Sequence, residues 1–241
     1  MKIADGVEAL EINVNHLGKQ TKLCPTLFWD ETTAVLVDAG YPGFQKQIKY
    51  KIEKAGIPFD RLNKIILTHQ DFDHTGGLPD LLAISQQKIA VMAHELDKPY
   101  IQGEMPLLKT SLKNIPELYH KLSAPPMTYE YKVDVPVDVT VADGEELPYC
   151  GGILVIHMPG HTPGHICLYH KKSKTFVAGD ALVFINGKLS KTLDSLTQDI
   201  TKANKSLEKL VDYDIKTLIC YHEGVCKDNV RQRLLEILNI K

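Results

Sequence analysis

The stretch Leu67-Thr68-His69-Gln70-Asp71-Phe72-Asp73-His74-Thr75-Gly76-Gly77 places two histidines and two aspartates within six positions. It follows an apolar run typical of a buried strand and precedes a Gly-Gly turn that leads into a predicted helix. His69, Asp71 and Asp73 alternate, so in an extended segment they point to one side, and His74 leaves that register at the turn. The loop therefore predicts the start of two adjacent metal sites. The alternative, a polar loop that only caps the next helix, fits this dense spacing poorly.

Four predicted strands end at side chains that can hold a metal ion. The strands are predicted at 64–68, 152–157, 175–180 and 217–222, and the side chains are His69, His161, Asp180 and His222. A single histidine at a strand end is usually an ordinary polar residue. Because buried strands carry distant parts of a chain to one edge of a sheet, four such ends together predict one shared cleft.

The remaining pattern predicts further strands and helices with one irregular segment among them. Strands are expected at 7–15, 23–29, 32–40, 88–93, 137–141 and 166–169, and helices at 45–55, 78–85, 199–213 and 228–239. Residues 95–132 are richer in Pro and Tyr and only partly helical, at 109–122. This inserted segment either covers a site and shapes its substrate pocket or is a solvated connector.

Composition places the chain among ordinary globular proteins. Its 241 residues are 44% hydrophobic and 24% charged, and the net charge is -2. The charge balance gives no reason to expect nucleic acid or a membrane as a partner, so we expect a small-molecule substrate and allow for a homodimer. An export signal is not visible and the cysteine count, five, is odd. We therefore expect a cytoplasmic protein with reduced thiols.

The chain resembles the metallo-β-lactamase superfamily over nearly its whole length. The family motif HxHxDH occurs as His69-Gln70-Asp71-Phe72-Asp73-His74, with Asp71 in the place of the second histidine. A Gly-His-Thr-Pro-Gly-His segment at 160–165, a Gly-Asp at 179–180 and a late histidine, His222, follow in the family's order. The resemblance implies an α/β (α+β) protein, a four-layer αββα sandwich, formed by a single domain over 1–241 with the inserted segment around 95–132.

The resemblance also implies a set of metal ligands. It assigns His69, Asp71 and His161 to a first ion, Asp73, His74 and His222 to a second, and Asp180 to a bridge between them. It implies two divalent ions, with zinc as the favoured metal and iron or manganese as alternatives.

Other residues have less definite roles. His165 is expected to orient a ligand or line the pocket, and Asp73 to pass a proton from the nucleophile to the leaving group. Tyr221 either donates to an oxyanion, lines the pocket or simply packs. Asp38 is either a hydrogen-bond partner of a ligand histidine or a turn-forming residue.

Asp71 is the departure from the family motif. A carboxylate is shorter than an imidazole and charged, which favours iron or manganese relative to zinc. Alternatively, Asp71 reaches the metal poorly and leaves the first site weak or empty.

The expected reaction is hydrolysis of an ester, lactone, thioester, amide or phosphoester, because two metal ions lower the pKa of a shared water from ~15.7 to roughly 7. The lactonase and general hydrolase branch fits best. We do not expect a glyoxalase II, which carries an added helical region for glutathione, since little chain follows His222. The alternatives are a phosphoester hydrolase, an iron-dependent oxidoreductase on the same fold, and a binding protein that has lost the chemistry.

Overall fold

The computed structural model describes residues 1–16, 19–111 and 133–240. The strands are, in chain order, β1 (Lys2–Ala4), β2 (Val7–Ala9), β3 (Ile12–His16), β4 (Lys19–Leu23), β5 (Thr26–Trp29), β6 (Ala34–Val37), β7 (Leu62–Ile66), β8 (Ala90–His94), β9 (Val139–Val141), β10 (Glu146–Leu147), β11 (Ile153–His157), β12 (Ile166–His170), β13 (Thr175–Val177), β14 (Leu182–Ile185), β15 (Lys188–Lys191), β16 (Thr217–Cys220) and β17 (Gly224–Cys226). The helices are α1 (Gln45–Lys54), α2 (Phe72–Thr75), α3 (Leu78–Ala83), α4 (Lys98–Ile101), α5 (Ile200–Leu207) and α6 (Val230–Leu238). Short 3-10 helices lie at Phe59–Arg61, Leu108–Ser111, Asp194–Leu196 and Glu208–Asp212.

The strands form two large sheets, one from each half of the chain. The first has the order β1-β2-β5-β6-β7-β8-β9, and the second β10-β11-β12-β13-β16-β17. Within the first sheet, β6, β7, β8 and β9 run parallel; in the second, β13 runs parallel to β16. Two hairpins, β3-β4 and β14-β15, stand apart from both sheets.

Alternating side chains divide the core into three apolar layers. In β6, Val35 and Val37 pack between the two sheets, whereas Ala34 and Leu36 pack against α1 and α3. In β12 the same period of two sends Cys167 outward to α5 and α6. Because each sheet is apolar on both faces, helices must cover the outer ones. This confirms the predicted αββα sandwich.

The carboxyl ends of the parallel strands lie at one edge of each sheet. The polar side chains that follow these strands therefore lie close together. In the first sheet, Asp38 follows β6, His69 follows β7 and Asp97 follows β8. In the second sheet, Asp180 follows β13 and His222 follows β16. A hydrogen bond from the Ile166 amide to the Thr68 carbonyl, 2.8 Å, joins the two sheets at this edge.

Three local features differ from the sequence-based expectations. The motif loop does not stay extended, because α2 begins directly after Asp71 and turns Asp73 away from it. Hairpin β14-β15 was not predicted, although Asn186 and Gly187 occupy its two-residue turn with φ of 52° and 76°. The helix expected at 199–213 is α5 followed by a 3-10 helix. Of the inserted segment, 112–132 lie outside the described residues.

Candidate metal centre

The first group of candidate ligands combines side chains from both sheets. His69, Asp71, His161 and Asp180 are buried, and each offers one donor atom within 4.8 Å of all the others. Asp71 Oδ2 lies 3.2 Å from His69 Nε2 and 3.0 Å from His161 Nε2. Asp71 therefore reaches the same point as the two imidazoles.

The second group contains Asp73, His74 and His222, again with donor atoms within 4.8 Å of one another. Asp73 Oδ2 lies 3.2 Å from His222 Nε2 and 3.7 Å from His74 Nε2. Asp180 faces both groups: its Oδ1 is 3.2 Å from His74 Nε2, and its Oδ2 is 3.3 Å from His161 Nε2. The seven residues predicted from the motifs thus form two adjoining groups that share Asp180.

Hydrogen bonds on the far side of the rings fix two of the imidazoles. His74 Nδ1 donates to Asp38 Oδ2 at 2.9 Å, and His69 Nδ1 donates to Thr68 Oγ1 at 3.0 Å. The Thr68 hydroxyl in turn donates to Asp38. With Nδ1 carrying the proton, Nε2 of each ring presents its lone pair to the centre. Asp38 is thus a hydrogen-bond partner of His74, one of the candidate ligands.

Tyr221 and His165 each make a hydrogen bond that supports the backbone of the centre. The Tyr221 hydroxyl donates to the Asp73 carbonyl at 2.5 Å, and its ring lies 3.7 Å from the His74 ring, centroid to centroid. Since this hydroxyl is buried and engaged, Tyr221 is placed to position Asp73 rather than to bind an oxyanion. His165 Nε2 accepts the Asp180 amide at 3.0 Å and so fixes the backbone of the shared carboxylate.

Asp97 is a structural residue of the centre that sequence reasoning missed. It is fully buried, and its Oδ2 accepts the Gln70 amide at 3.0 Å and the Thr162 hydroxyl at 2.7 Å. Its Oδ1 accepts the Gly164 amide at 2.8 Å. One carboxylate therefore ties the motif loop to the loop that carries His161. The sequence offered no signal for it beyond its position shortly after a strand.

Carboxylates favour positive charge at the second ligand group. Burial disfavours the charged imidazolium of His74, but the carboxylates of Asp180, Asp38 and Asp73 outweigh it and raise its pKa well above the usual value. Burial likewise opposes ionisation of Asp180, yet His222 and His74 hold its pKa well below the usual range. A site that stabilises positive charge this strongly is suited to cations.

Unpartnered atoms test whether the residues fit metal ions. His69 Nε2, His74 Nε2 and Asp180 Oδ1 are buried and accept no hydrogen bond from any described residue. Buried polar atoms are nearly always satisfied, so these three atoms, shared between the two groups, have the character of metal donors. Imidazole nitrogens and carboxylate oxygens match the preferences of zinc, iron and manganese. The donor set therefore fits divalent ions.

A small cavity opens beside the shared carboxylate. It has a volume of about 30 Å³ and is lined by His161, Asp180, Met158, Lys191 and Asn204, among others.

Comparison with known proteins agrees with this geometry. The family model for the metallo-β-lactamase superfamily matches residues 25–222. The chain belongs to the metallo-β-lactamase superfamily. Superfamily membership accounts for the order of the motifs, and together with the metallo-hydrolases among the relatives it supports a hydrolase enzyme. It confirms the resemblance inferred from the sequence, including the variant motif with Asp71.

Individual relatives of this superfamily member are distant. It is 28% identical over 220 residues to the probable metallo-hydrolase YflN of Bacillus subtilis, covering 85% of this chain and 81% of that protein. It is 27% identical over 160 residues to the hydroxyacylglutathione hydrolase GloC of Haemophilus influenzae, covering 66% of each. The crystal structure of a metallo-β-lactamase family protein, TTHA1429, from Thermus thermophilus superposes with a TM-score of 0.72 at 22% identity, covering 99% of this chain and 80% of that one.

Other features of the described residues bear on the earlier expectations. All five cysteines are buried free thiols. A helix with the length and apolar character needed to cross a bilayer does not occur in the described ranges.

Proposed function

We propose that this protein hydrolyses an acyl bond of a small molecule at a centre that binds two divalent ions, with zinc as the favoured metal. The observation that carries the proposal is the position of Asp180, whose two oxygens face the two ligand groups. Such a shared carboxylate supports a pair of ions rather than one. The fit of the unpartnered donor atoms supports the same conclusion.

The bound ions would supply a deprotonated water at neutral pH and polarise the scissile carbonyl. The chain's own residues would prepare and complete the reaction. Asp38 and Thr68 hold His74 and His69 with their Nε2 atoms toward the centre. Asp73 keeps 15% of its side chain exposed, so its Oδ2 can exchange a proton with the attacking water and the leaving group.

Thioesters, esters and lactones are the substrate classes that we favour. Similarity to a hydroxyacylglutathione hydrolase supports an acyl thioester. The expectation against a glyoxalase II rested on how little chain follows His222, and we set it aside. Fold and donor set alone do not choose among these acyl bonds.

A panel of chromogenic thioesters, esters, lactones and phosphodiesters, assayed with zinc-loaded protein, tests the proposal. Asp180→Asn should lower turnover of the accepted substrate at least about 100-fold, because the shared anionic donor is lost. Asp214→Asn, which alters an exposed carboxylate paired with Lys174, is the matched control and should retain activity. Full turnover by the Asp180 variant would contradict the proposal. Turnover of only the phosphodiester would favour the phosphoester alternative.

One observation favours a second candidate, an iron-dependent oxidoreductase. The Asp71 carboxylate adds a hard oxygen donor to the first group, between His69 and His161. Oxygen consumption by iron-loaded protein with a chemical reductant, together with no hydrolysis of the panel, would favour this activity over hydrolysis.

A further inference from the structure

A lysine ammonium lies inside the first ligand group. Lys109 Nζ pairs with Asp71 Oδ2 and donates to His161 Nε2 at 2.7 Å. Only 17% of its side chain is exposed. The ammonium therefore uses the same two donor atoms that a first metal ion would need.

The backbone at Lys109 is fixed to the motif loop. The neighbouring Leu108 amide donates to Gln70 Oε1 at 2.9 Å. Gln70, which lies between His69 and Asp71 in the sequence, is buried. Its side-chain amide donates to Asp97 at 3.3 Å. The turn that carries Lys109 is thus held against the ligand loop by the Gln70 side chain, which in turn bonds to the carboxylate that holds the His161 loop.

A second lysine near the centre shows a different arrangement. Lys191 lines the cavity beside His161 and Asp180, but its ammonium donates to Asn204 Oδ1 at 2.6 Å. Both lysines add positive charge near the centre, whereas Lys109 is the one of this pair bound to ligand atoms. The two residues therefore separate a direct contact from a general effect of charge.

We propose that Lys109 competes with the first metal ion for Asp71 and His161. The single lone pair of His161 Nε2 cannot serve an ammonium and a dication together, and at Asp71 the two cations would repel each other strongly at contact distance. The first ion therefore binds only when the Lys109 side chain has moved away, and its site fills at higher free-ion concentration than the second. The exchange depends on a carboxylate at 71, because a neutral imidazole could not form an ion pair with the ammonium.

The inference rests on the proposed function only in assuming two ion sites. The zinc affinity of each site can be measured without any substrate. Protein is treated with chelator, and zinc is then titrated in by calorimetry and, separately, by equilibrium dialysis with metal analysis. Lys109→Met keeps the length and apolar stem of the side chain and removes the ammonium. It should strengthen the weaker site at least about tenfold, since a buried charged hydrogen bond no longer has to be broken. The tighter site should change less than twofold.

Controls assign the effect. Lys191→Met should leave both zinc affinities within twofold, and Lys109→Arg, which keeps a cation, should not strengthen the weaker site tenfold. Asp71→Ala in the Lys109→Met background should abolish the gain, which assigns it to the first site. Circular dichroism melting would verify that each variant is folded.

Three results would overturn the inference: unchanged zinc binding by the Lys109→Met protein, weaker binding by it, or an equal gain from Lys191→Met. Wild-type protein that binds no zinc at all would instead contradict the proposed function. The two failures are therefore distinguishable.

Discussion

Asp38 Oδ2 accepts a hydrogen bond from His74 Nδ1 at 2.9 Å while Asp38 Oδ1 accepts the Thr68 amide at 2.8 Å. Asp38 occupies the left-handed region of backbone conformation, with φ of 64°, directly after β6. A single side chain thus links the end of one strand to the loop of the next and sets the proton position on a ligand histidine.

Replacing Asp38 should weaken the second ion site. In Asp38→Asn a side-chain NH₂ would face the Nδ1 proton of His74, so the imidazole would favour the other tautomer and lose its lone pair at Nε2. We expect zinc affinity to fall about 10- to 100-fold, measured by competition with a chelating dye. Asp30→Asn is the matched control, because Asp30 also accepts backbone amides, from Thr32 and Cys150, without touching a ligand. Unchanged affinity in the Asp38 variant would contradict this role.

Asp97 should matter more for stability than a partly exposed aspartate. Asp97→Asn places an NH₂ group among four donors in a buried site, and we expect a loss of about 2–4 kcal/mol in the free energy of unfolding. In the control, Asp138→Asn, the remaining side-chain oxygen can still accept the Val91 amide while the exposed Lys88 loses its charged partner, and we expect a loss of less than about 1.5 kcal/mol. Urea denaturation of both variants measures the difference, and equal losses would count against the special position of Asp97.

Gly179 should not tolerate alanine. A Cβ there would lie 2.8 Å from His165 Nε2 and 3.1 Å from Thr68, at a backbone φ of +50°. Gly187 also has a positive φ, +76°, but its Cβ would meet nothing within 4 Å. We expect Gly187→Ala to cost about 1–2 kcal/mol of stability from backbone strain alone, and Gly179→Ala to cost at least about 3 kcal/mol. Thermal melts in the presence of a chelator compare the stability losses of the two variants. Similar losses would argue against close packing behind Asp180.

The stability of ion-free protein should depend on the protonation of His222. Burial lowers the pKa of His222, but Asp180 and Asp73 raise it more, to about 10. A raised histidine pKa stabilises the fold fully below pH 6.5, and this contribution disappears as the pH rises through about 10. We therefore expect the melting temperature in chelator to fall between pH 6.5 and 10. His222→Gln should flatten that fall, and an identical pH profile for both proteins would contradict the assignment.

The pH effect on zinc binding should have the opposite sign. A proton on His222 competes with the ion, so apparent zinc affinity should increase over the same pH range. Titrations with zinc in buffers from pH 6.5 to 9 would show the increase in wild-type protein and a smaller one in His222→Gln. A pH-independent affinity would indicate that His222 does not ligate the ion.

The family resemblance predicted the sandwich, and the motifs named the seven residues that the structure brings together in two groups. Strand β7 ends in the apolar pair Ile65-Ile66, and the candidate ligand His69 follows it within a few residues. The direction in which a side chain points was harder to predict than the group of residues to which it belongs. Asp73 was expected on the same side as Asp71, but the amide of His74 bonds to the Asp71 carbonyl at 2.9 Å and starts a helical turn that the short sequence window does not reveal.

Residues whose role comes from distant contacts were not predictable. Asp97 and Lys109 carry no local motif, and each acts through a partner that only the folded chain brings near. Hairpin β14-β15 is different, since its Asn186-Gly187 turn is a known local signal that was overlooked.

The pairing of β13 with β16 has a consequence for how the protein is made. The parallel register sets Val177 beside Ile219, so Asp180 and His222 meet only after most of the chain has left the ribosome. The three apolar layers consist of hydrophobic side chains and include none of the seven candidate ligands. Unlike small zinc fingers, in which the ion drives folding, this polypeptide should fold first and acquire its metal afterwards, from whatever pool the cell then offers.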